Sequence, residues 1–387
     1  MKLDDPLSPA LTAVSYSTDP ATASAELREA LRGPQLGFVL FFCSAEYDLQ
    51  ALGVALQAEF AGVGLAGCTT AGEITPQGYG QGCVTAIGFD ARCFAIEGQL
   101  IKQIGRFSLT DAQAVVESLT AGCRARNLAP IKRNTFALTL LDGLSSQEEL
   151  FLVALNSALG SIPNFGGSAG DDIHLANTHV FFDGCFHTDA AVVLLFNTRC
   201  DFEVFSSHHI EHPGEKMVVT SADPDSRTVI ELNAEPAALE YARVLGVPVE
   251  ALDFHSFALH PVAVRIGEDY YVRSIQRVNP DLSMTFYCAV EKGIVLTAMR
   301  PGAMLANLDA EFARIEQAIG TPRLVIGCDC FLRRLEAEHT GFDVATSDYL
   351  QAHRVIGFNT YGEQFNGMHL NQTFTGVAIG GVRHELR

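Results

Sequence analysis

Two short stretches of this chain set a hydroxyl and a carboxylate three residues apart across a glycine: Gly67-Cys68-Thr69-Thr70-Ala71-Gly72-Glu73 and Gly357-Phe358-Asn359-Thr360-Tyr361-Gly362-Glu363. Carboxylates so placed can orient a ligand, accept from nearby backbone N–H groups, or pair with arginine. Arg333 and Arg334 lie in the region of the second copy and are the natural partners of Glu73 and Glu363, with an ion pair that merely ties two loops together as the alternative. Between the copies, Gly166-Gly167-Ser168-Ala169-Gly170-Asp171-Asp172 offers three glycines free to take positive φ, letting backbone N–H groups converge on an anion or a carbonyl. It matches no phosphate-binding pattern, and its two aspartates oppose a phosphate, so a ligand loop and a structural turn both stay open.

Cysteine and histidine are the other chemistry-bearing types. Cys328-Asp329-Cys330 lacks a second half at zinc spacing, and His174 and His179 have no cysteines near them in sequence, which argues against structural zinc. A thiol nucleophile at Cys68 or Cys328 is one further reading, because a cysteine at a strand-to-loop turn can be activated by a distant histidine. The chain has 12 histidines, several in polar or turn contexts, and a neutral imidazole is a usual axial ligand of haem iron. His208, His209, His212, His260 and His339 are candidates. His369 is preferred, since it follows the second motif copy and has Asn371 beside it to fix its tautomer.

The elements that must position these residues repeat as well. Each motif copy follows an apolar, strand-like run and leads into another ending Ala-Ile-Gly (Ala86-Ile87-Gly88 and Ala378-Ile379-Gly380). Upstream, residues 38–43 precede an amphipathic stretch to Phe60, as residues 324–328 precede one to His353. The order strand, helix, strand, motif, strand therefore predicts an internal duplication, with one half-site in each half facing a shared cavity. Strands at 12–17 and 38–43 alternate with helices at 21–31 and 49–60, which predicts parallel pairing through crossovers. A helix capped by Thr110, a strand at 135–141 and a helix opened by Ser145-Ser146 follow. Beyond Thr178 short strands with turn signals predict an antiparallel-rich middle region, and the end of the chain returns to α/β. The fold class is thus mixed α/β (α+β), in two related domains, 1–225 and 226–387, divided near Ala222-Asp223-Pro224-Asp225.

Composition narrows the function classes. With 48% hydrophobic and 18% charged residues the chain is globular. A formal charge of -19 repels phosphate backbones and anionic head groups, so no nucleic-acid partner is expected. No uninterrupted apolar run reaches the ~18 residues of a membrane span, and the acidic start lacks a signal-peptide core. No membrane insertion and a cytoplasmic address are expected, with reduced thiols among the 10 cysteines.

Four stretches together resemble the FIST family (F-box and intracellular signal transduction proteins): 67–73, 165–172, 328–333, and Tyr361-Gly362-Glu363 with Asn371-Gln372-Thr373. The resemblance spans nearly the whole chain and implies N-terminal and C-terminal FIST domains. It implies a sensory protein, not an enzyme, that binds a small ligand and passes the signal on. One branch of the family, which this chain resembles, carries b-type haem and senses nitric oxide, so the expected cofactor is haem and the expected partner a histidine kinase. The alternative is a haem-free binding module for an amino acid or another small metabolite. Candidate ligand-binding residues are Thr70, Glu73, Gly166, Gly167, Ser168, Asp171, Cys328, Arg333, Glu363 and Asn371, with His369 as the iron ligand. The resemblance itself singles out no histidine, and a homodimer stays open.

Overall fold

The computed structural model describes residues 8–383 apart from Pro34 and His212, so the His212 candidate and the acidic start lie outside the described residues. Three six-stranded sheets dominate, each built to the same plan. In the first repeat, Ala10–Ser15, Leu36–Ser44, Gly64–Thr70 and Val84–Asp90 form a sheet in which only Leu36–Ser44 and Gly64–Thr70 run parallel. Helices Pro20–Ala30 and Leu49–Glu59 cover one face. The second repeat has Phe94–Lys102, Thr135–Leu141, Asn164–Ser168 and Ala190–Thr198, with helices Leu109–Arg126 and Glu148–Leu159. The third has Cys200–Ser207, Leu324–Cys330, Val355–Thr360 and Phe374–Val382, with helices Met304–Ile319, Phe331–Thr340 and Asp343–Ala352.

Each repeat also carries a short hairpin between its last two strands, and none of the three hairpins stays at home. Glu73–Thr75 with Gly78–Gly80 docks on Val355–Thr360 of the third sheet. Val180–Phe182 with Cys185–His187 docks on Gly64–Thr70 of the first. Glu363–Phe365 with Met368–Leu370 docks on Asn164–Ser168 of the second. The exchange is cyclic, so every sheet is completed by the hairpin of another repeat.

Strand alternation explains how the sheets close on one another. Phe38, Leu40 and Phe42 point into a core shared by all three sheets, while Val39, Phe41 and Cys43 face the helices of their own repeat. Both faces are covered, hence the near-continuous apolar strands. In the shared core Phe42 stacks on Phe358 at 4.6 Å and Phe136 on Phe196 at 4.9 Å, and each buried aromatic contributes about 1.5–3 kcal/mol.

The third repeat is interrupted. Between Cys200–Ser207 and Met304–Ile319 the chain makes a subdomain with its own core and an antiparallel sheet running from Lys216–Asp223 to Val295–Ala298. Ile210–Glu211 pairs with Arg300–Pro301 at its neck. The antiparallel-rich middle expected from the turn signals is this subdomain, and residues 225–226 lie inside it.

Mixed α/β architecture with an antiparallel-rich middle is therefore observed, and three expectations need correction. The internal repeat is threefold, not twofold: Ser168-Ala169-Gly170-Asp171 occupies the place of Thr70-Ala71-Gly72-Glu73 and Thr360-Tyr361-Gly362-Glu363, because Ser168, Thr70 and Thr360 all pair across their parallel partner strands at equivalent ends. Parallel pairing is confined to one strand pair in each of the three six-stranded sheets. Helix Leu109–Arg126 is capped by Ser108, not Thr110, through a reciprocal capping box with Asp111. Among the described residues no helix is long and apolar enough to cross a membrane.

Candidate functional site

The three glycine turns meet at one end of the shared core, where the backbone stitches them into a ring. Ala71 N donates to Asn359 O at 2.9 Å and Asn359 N to Gly72 O at 2.7 Å; Gly170 N donates to Thr69 O at 3.1 Å; Ser168 N donates to Gly362 O at 2.9 Å. The two motif copies and the glycine-rich loop, separate in sequence, are thus one assembly. Gly166, Gly167 and Gly170 do not take positive φ. They are needed for close approach: a Cβ on Gly166 would fall 2.0 Å from Thr139 O, so the loop is no anion-binding nest but the end of a strand and a tight turn.

Glu73 and Glu363 have matching surroundings. Each is fully buried and accepts from the N–H that opens the closing strand of its own repeat, Cys83 N at 3.4 Å and Thr373 N at 3.1 Å. Glu73 also holds the Thr70 hydroxyl, and Glu363 the Thr373 hydroxyl at 2.9 Å. In the second repeat Asp142 takes this task, accepting from Asp189 N at 2.6 Å. Asp171 is thereby released to bind the Tyr361 hydroxyl and the N–H groups of Leu175, Ala176 and Asn177. Burial lifts the Glu73 carboxyl to about 7 and pushes Glu363 up in the same direction. These acids pin strands, and they do not pair with Arg333 or Arg334 as the sequence suggested.

Arg333 lies at the centre of a buried chain. Tyr79 Oη donates to Asp329 Oδ2 at 2.6 Å; Arg333 Nε donates to Asp329 Oδ1 at 2.7 Å; Arg333 Nη1 donates to His209 Nδ1 at 2.6 Å; His209 Nε2 meets Glu336 at 2.8 and 2.9 Å. A guanidinium has no lone pair to offer, so His209 Nδ1 is the acceptor and the proton sits on Nε2, donated to Glu336. Burial and the neighbouring guanidinium lower the His209 pKa and keep the ring neutral.

Arg334, one residue on, opens on a cavity of about 330 Å³ walled by Tyr79, Gln81, Glu338, Asp343, Ser347 and Asp348. Its guanidinium packs against Gly72, where a Cβ would stand 1.8 Å from Nη1, and Gly72 has φ +126. The Gln81 amide, with its oxygen turned inward, accepts from both terminal nitrogens at 3.1 and 3.3 Å. Glu338 sits 3.3 Å from Nε and Asp172 3.6 Å from Nη2, both with partly exposed side chains. One buried cation at the floor and a rim of carboxylates suit a molecule carrying both an anionic and a cationic group. Only Arg334 among these was visible in the sequence as a candidate; Tyr79 and Gln81 arrive on the exchanged hairpin.

The equivalent junction at Gly362 is closed. The His369 ring fills the space above Gly362, so close that a Cβ there would lie 2.3 Å from Cε1. Glu148 stands 3.9 Å from His369 Nδ1, binds the Ser168 hydroxyl, and is clamped by Arg227 of the inserted subdomain at 2.9 Å. Arg227 also reaches Glu149 at 2.6 Å, and Ala289 N donates to the same carboxylate. Burial lifts the Glu148 carboxyl to about 8 and lowers His369 to about 4. Asn371 accepts from Ser274 N at 3.2 Å in this seam between subdomain and hairpin, and leaves His369 alone.

Haem does not fit the residue nominated to hold it. The His369 side chain is 1% exposed and wedged against backbone and carboxylate, with no face open to a porphyrin. His208 and His339 are on the surface, His260 ends a short helix, and His209 is spent in the buried chain; among the described residues no histidine lines the cavities at Arg334, at Glu336, at Glu97 or at Lys102. Cys328 and Cys68 are wholly buried in the shared apolar core, which pushes both thiols well up and leaves neither facing the cavities described above. Thr70, Gly166, Gly167 and Ser168 likewise build the ring of turns and line none of these cavities.

Residues 37–235 match the family model described as the FIST N domain, and residues 237–366 match the one described as the FIST C domain. No curated protein matches the chain.

Proposed function

Since the chain belongs to the FIST family, whose domains are small-ligand sensory domains of signal transduction, we propose that it detects a small zwitterionic metabolite, an amino acid or a close analogue, in the Arg334 cavity. The observation that carries this reading is a guanidinium that is 3% exposed, resting on Gly72 at the floor of a cavity whose rim holds Glu338, Asp343 and Asp348. The ligand carboxylate takes the place of Glu338 on Arg334, and its ammonium meets the rim acids. Glu338 is free to swing away, with a side chain 43% exposed. The cavity lies between the exchanged hairpin and two helices of another repeat, so occupancy biases how two repeats pack. We read the chain as a sensor with no catalytic step of its own.

A thermal-shift screen of the common amino acids tests this. Wild-type protein is expected to gain several degrees with one or a few of them, and Arg334→Met protein none, because ligand at a hundredfold its Kd adds about 2.7 kcal/mol. Equal shifts in both proteins sink the assignment.

Haem-based sensing of nitric oxide, with a histidine kinase as partner, is the finer reading that the resemblance implies, and it draws no support from the surroundings of the histidines. The absorption spectrum of protein produced with haem supplied decides it: a stoichiometric Soret band that vanishes in a single histidine variant would restore it. The autophosphorylation rate of a candidate kinase, with and without ligand-loaded protein, tests the output.

A further inference from the structure

At the far end of the buried chain from Tyr79 lies a second cavity, of about 370 Å³, between the inserted subdomain and the third repeat. Its wall is apolar, with Leu259, Met304, Leu305, Ala337 and Phe342, and carries one carboxylate, Glu336. That carboxylate is 6% exposed, and among the described residues its side-chain hydrogen-bond donor is the Nε2–H of neutral His209. A single N–H shared by two carboxylate oxygens leaves most of their lone pairs unengaged. Arg333, the nearest cation in the chain, spends its charge on Asp329 and stands behind the His209 ring.

We propose that this cavity is a second ligand site and takes a small apolar amine, its hydrocarbon against Leu259, Met304 and Phe342 and its ammonium on Glu336. Charge and shape both select this class. A carboxylate anion would be repelled by Glu336, and a strongly polar cation would find no other hydrogen-bonding side chain there but Thr340 and Thr346. An organic ammonium satisfies the buried carboxylate and fills apolar space at once. Pairing there also touches the chain that ends at Tyr79 in the wall of the Arg334 cavity, so the two sites have a physical connection through Glu336, His209, Arg333 and Asp329.

Calorimetric titration at neutral pH with cyclohexylmethylamine and with cyclohexylmethanol, its neutral near-isostere, tests the site. The amine is expected to bind at least tenfold more tightly than the alcohol. Glu336→Gln, which keeps an acceptor for His209, should erase that preference, and Ala306→Phe, at the cavity mouth, should abolish binding of both while leaving the melting temperature within a few degrees. Equal affinity for amine and alcohol, or amine binding unaffected by Ala306→Phe, overturns the proposal. If Glu336→Gln protein fails to fold, the Ala306→Phe result and the amine-to-alcohol ratio decide alone. Arg334→Met protein should still bind the amine, which separates this site from the zwitterion cavity.

Discussion

The junctions at Gly72 and Gly362 carry the same motif and the same strand-pinning glutamate, although only Gly72 has a positive φ, yet one opens on a cavity and the other is plugged. At Gly72 the space is taken by a guanidinium with half-exposed partners; at Gly362 it is taken by an uncharged ring, a buried acid and a clamp from the inserted subdomain. The ring of turns is therefore scaffold, and what differs is the side chain that fills the space, Arg334 from another repeat at Gly72 and His369 from the same repeat's hairpin at Gly362. A motif shared by both places cannot say which one binds.

The sharpest way to break this contrast is to remove the cation at each junction. Arg227→Met strands the buried Glu148 and should cost about 3–5 kcal/mol in denaturant unfolding. Arg334→Met, whose acidic partners are partly solvated, should cost about 1 kcal/mol while abolishing the ligand response. Similar costs at both sites would mean that the Gly72 junction is as closed as the other. Next in size are the glycines. Gly362→Ala should lose about 2–4 kcal/mol by driving a methyl into His369, and His369→Ala in the same chain should recover much of it. Gly72→Ala should lose about 1–3 kcal/mol from its positive φ and displace Arg334, with no rescue by changes at His369.

Titration sharpens the contrast further. Glu148 is raised from the ordinary carboxyl range to about 8, so its contribution to stability is whole below about pH 4.5 and is lost as pH climbs through 8. His369 is lowered to about 4, so its contribution is whole above about pH 6.5 and is lost as pH falls through 4. Melting temperature against pH should therefore fall off less steeply on the alkaline side in Glu148→Gln and on the acid side in His369→Gln. Both slopes staying unchanged would count against a dry, sealed junction. The smallest expected effect is chemical: among the described cysteines only Cys185 is exposed, so one thiol should react quickly with a mild electrophile and the other nine only on unfolding.

Much of the scaffold was legible in the sequence. The strand Thr135–Leu141 stands where its apolar run puts it, and the two motif copies do correspond in space. The third copy is hidden in the letters because Ser168 and Asp171 stand at the places of Thr and Glu while Asp142, from another segment, pins the closing strand, and because a subdomain interrupts the third repeat. Helix Phe331–Thr340 escaped because both of its arginines and Glu336 are buried, which blurs the apolar stripe that marks a helix. Consecutive helical residues point about 100° apart, so Arg333 and Arg334 serve different places, and only coordinates say which faces a cavity. His369 looked like a ligand from its polar neighbours. It is packed beside Glu148, which Arg227 of the inserted subdomain clamps, and no local pattern links these residues.

The circular trade of hairpins among the sheets bears on how the chain can be made. As it leaves the ribosome, the first repeat must hold the hairpin at 73–80 undocked until Val355–Thr360 has been synthesised, and its own open edge awaits Val180–Phe182. No repeat can finish alone, and a chain cut before the last strands presents unpaired edges inviting association with other chains. Shortening this protein to a single domain for study would then select for aggregates, and late-acting chaperones would matter more to its yield than the intrinsic stability of any one part.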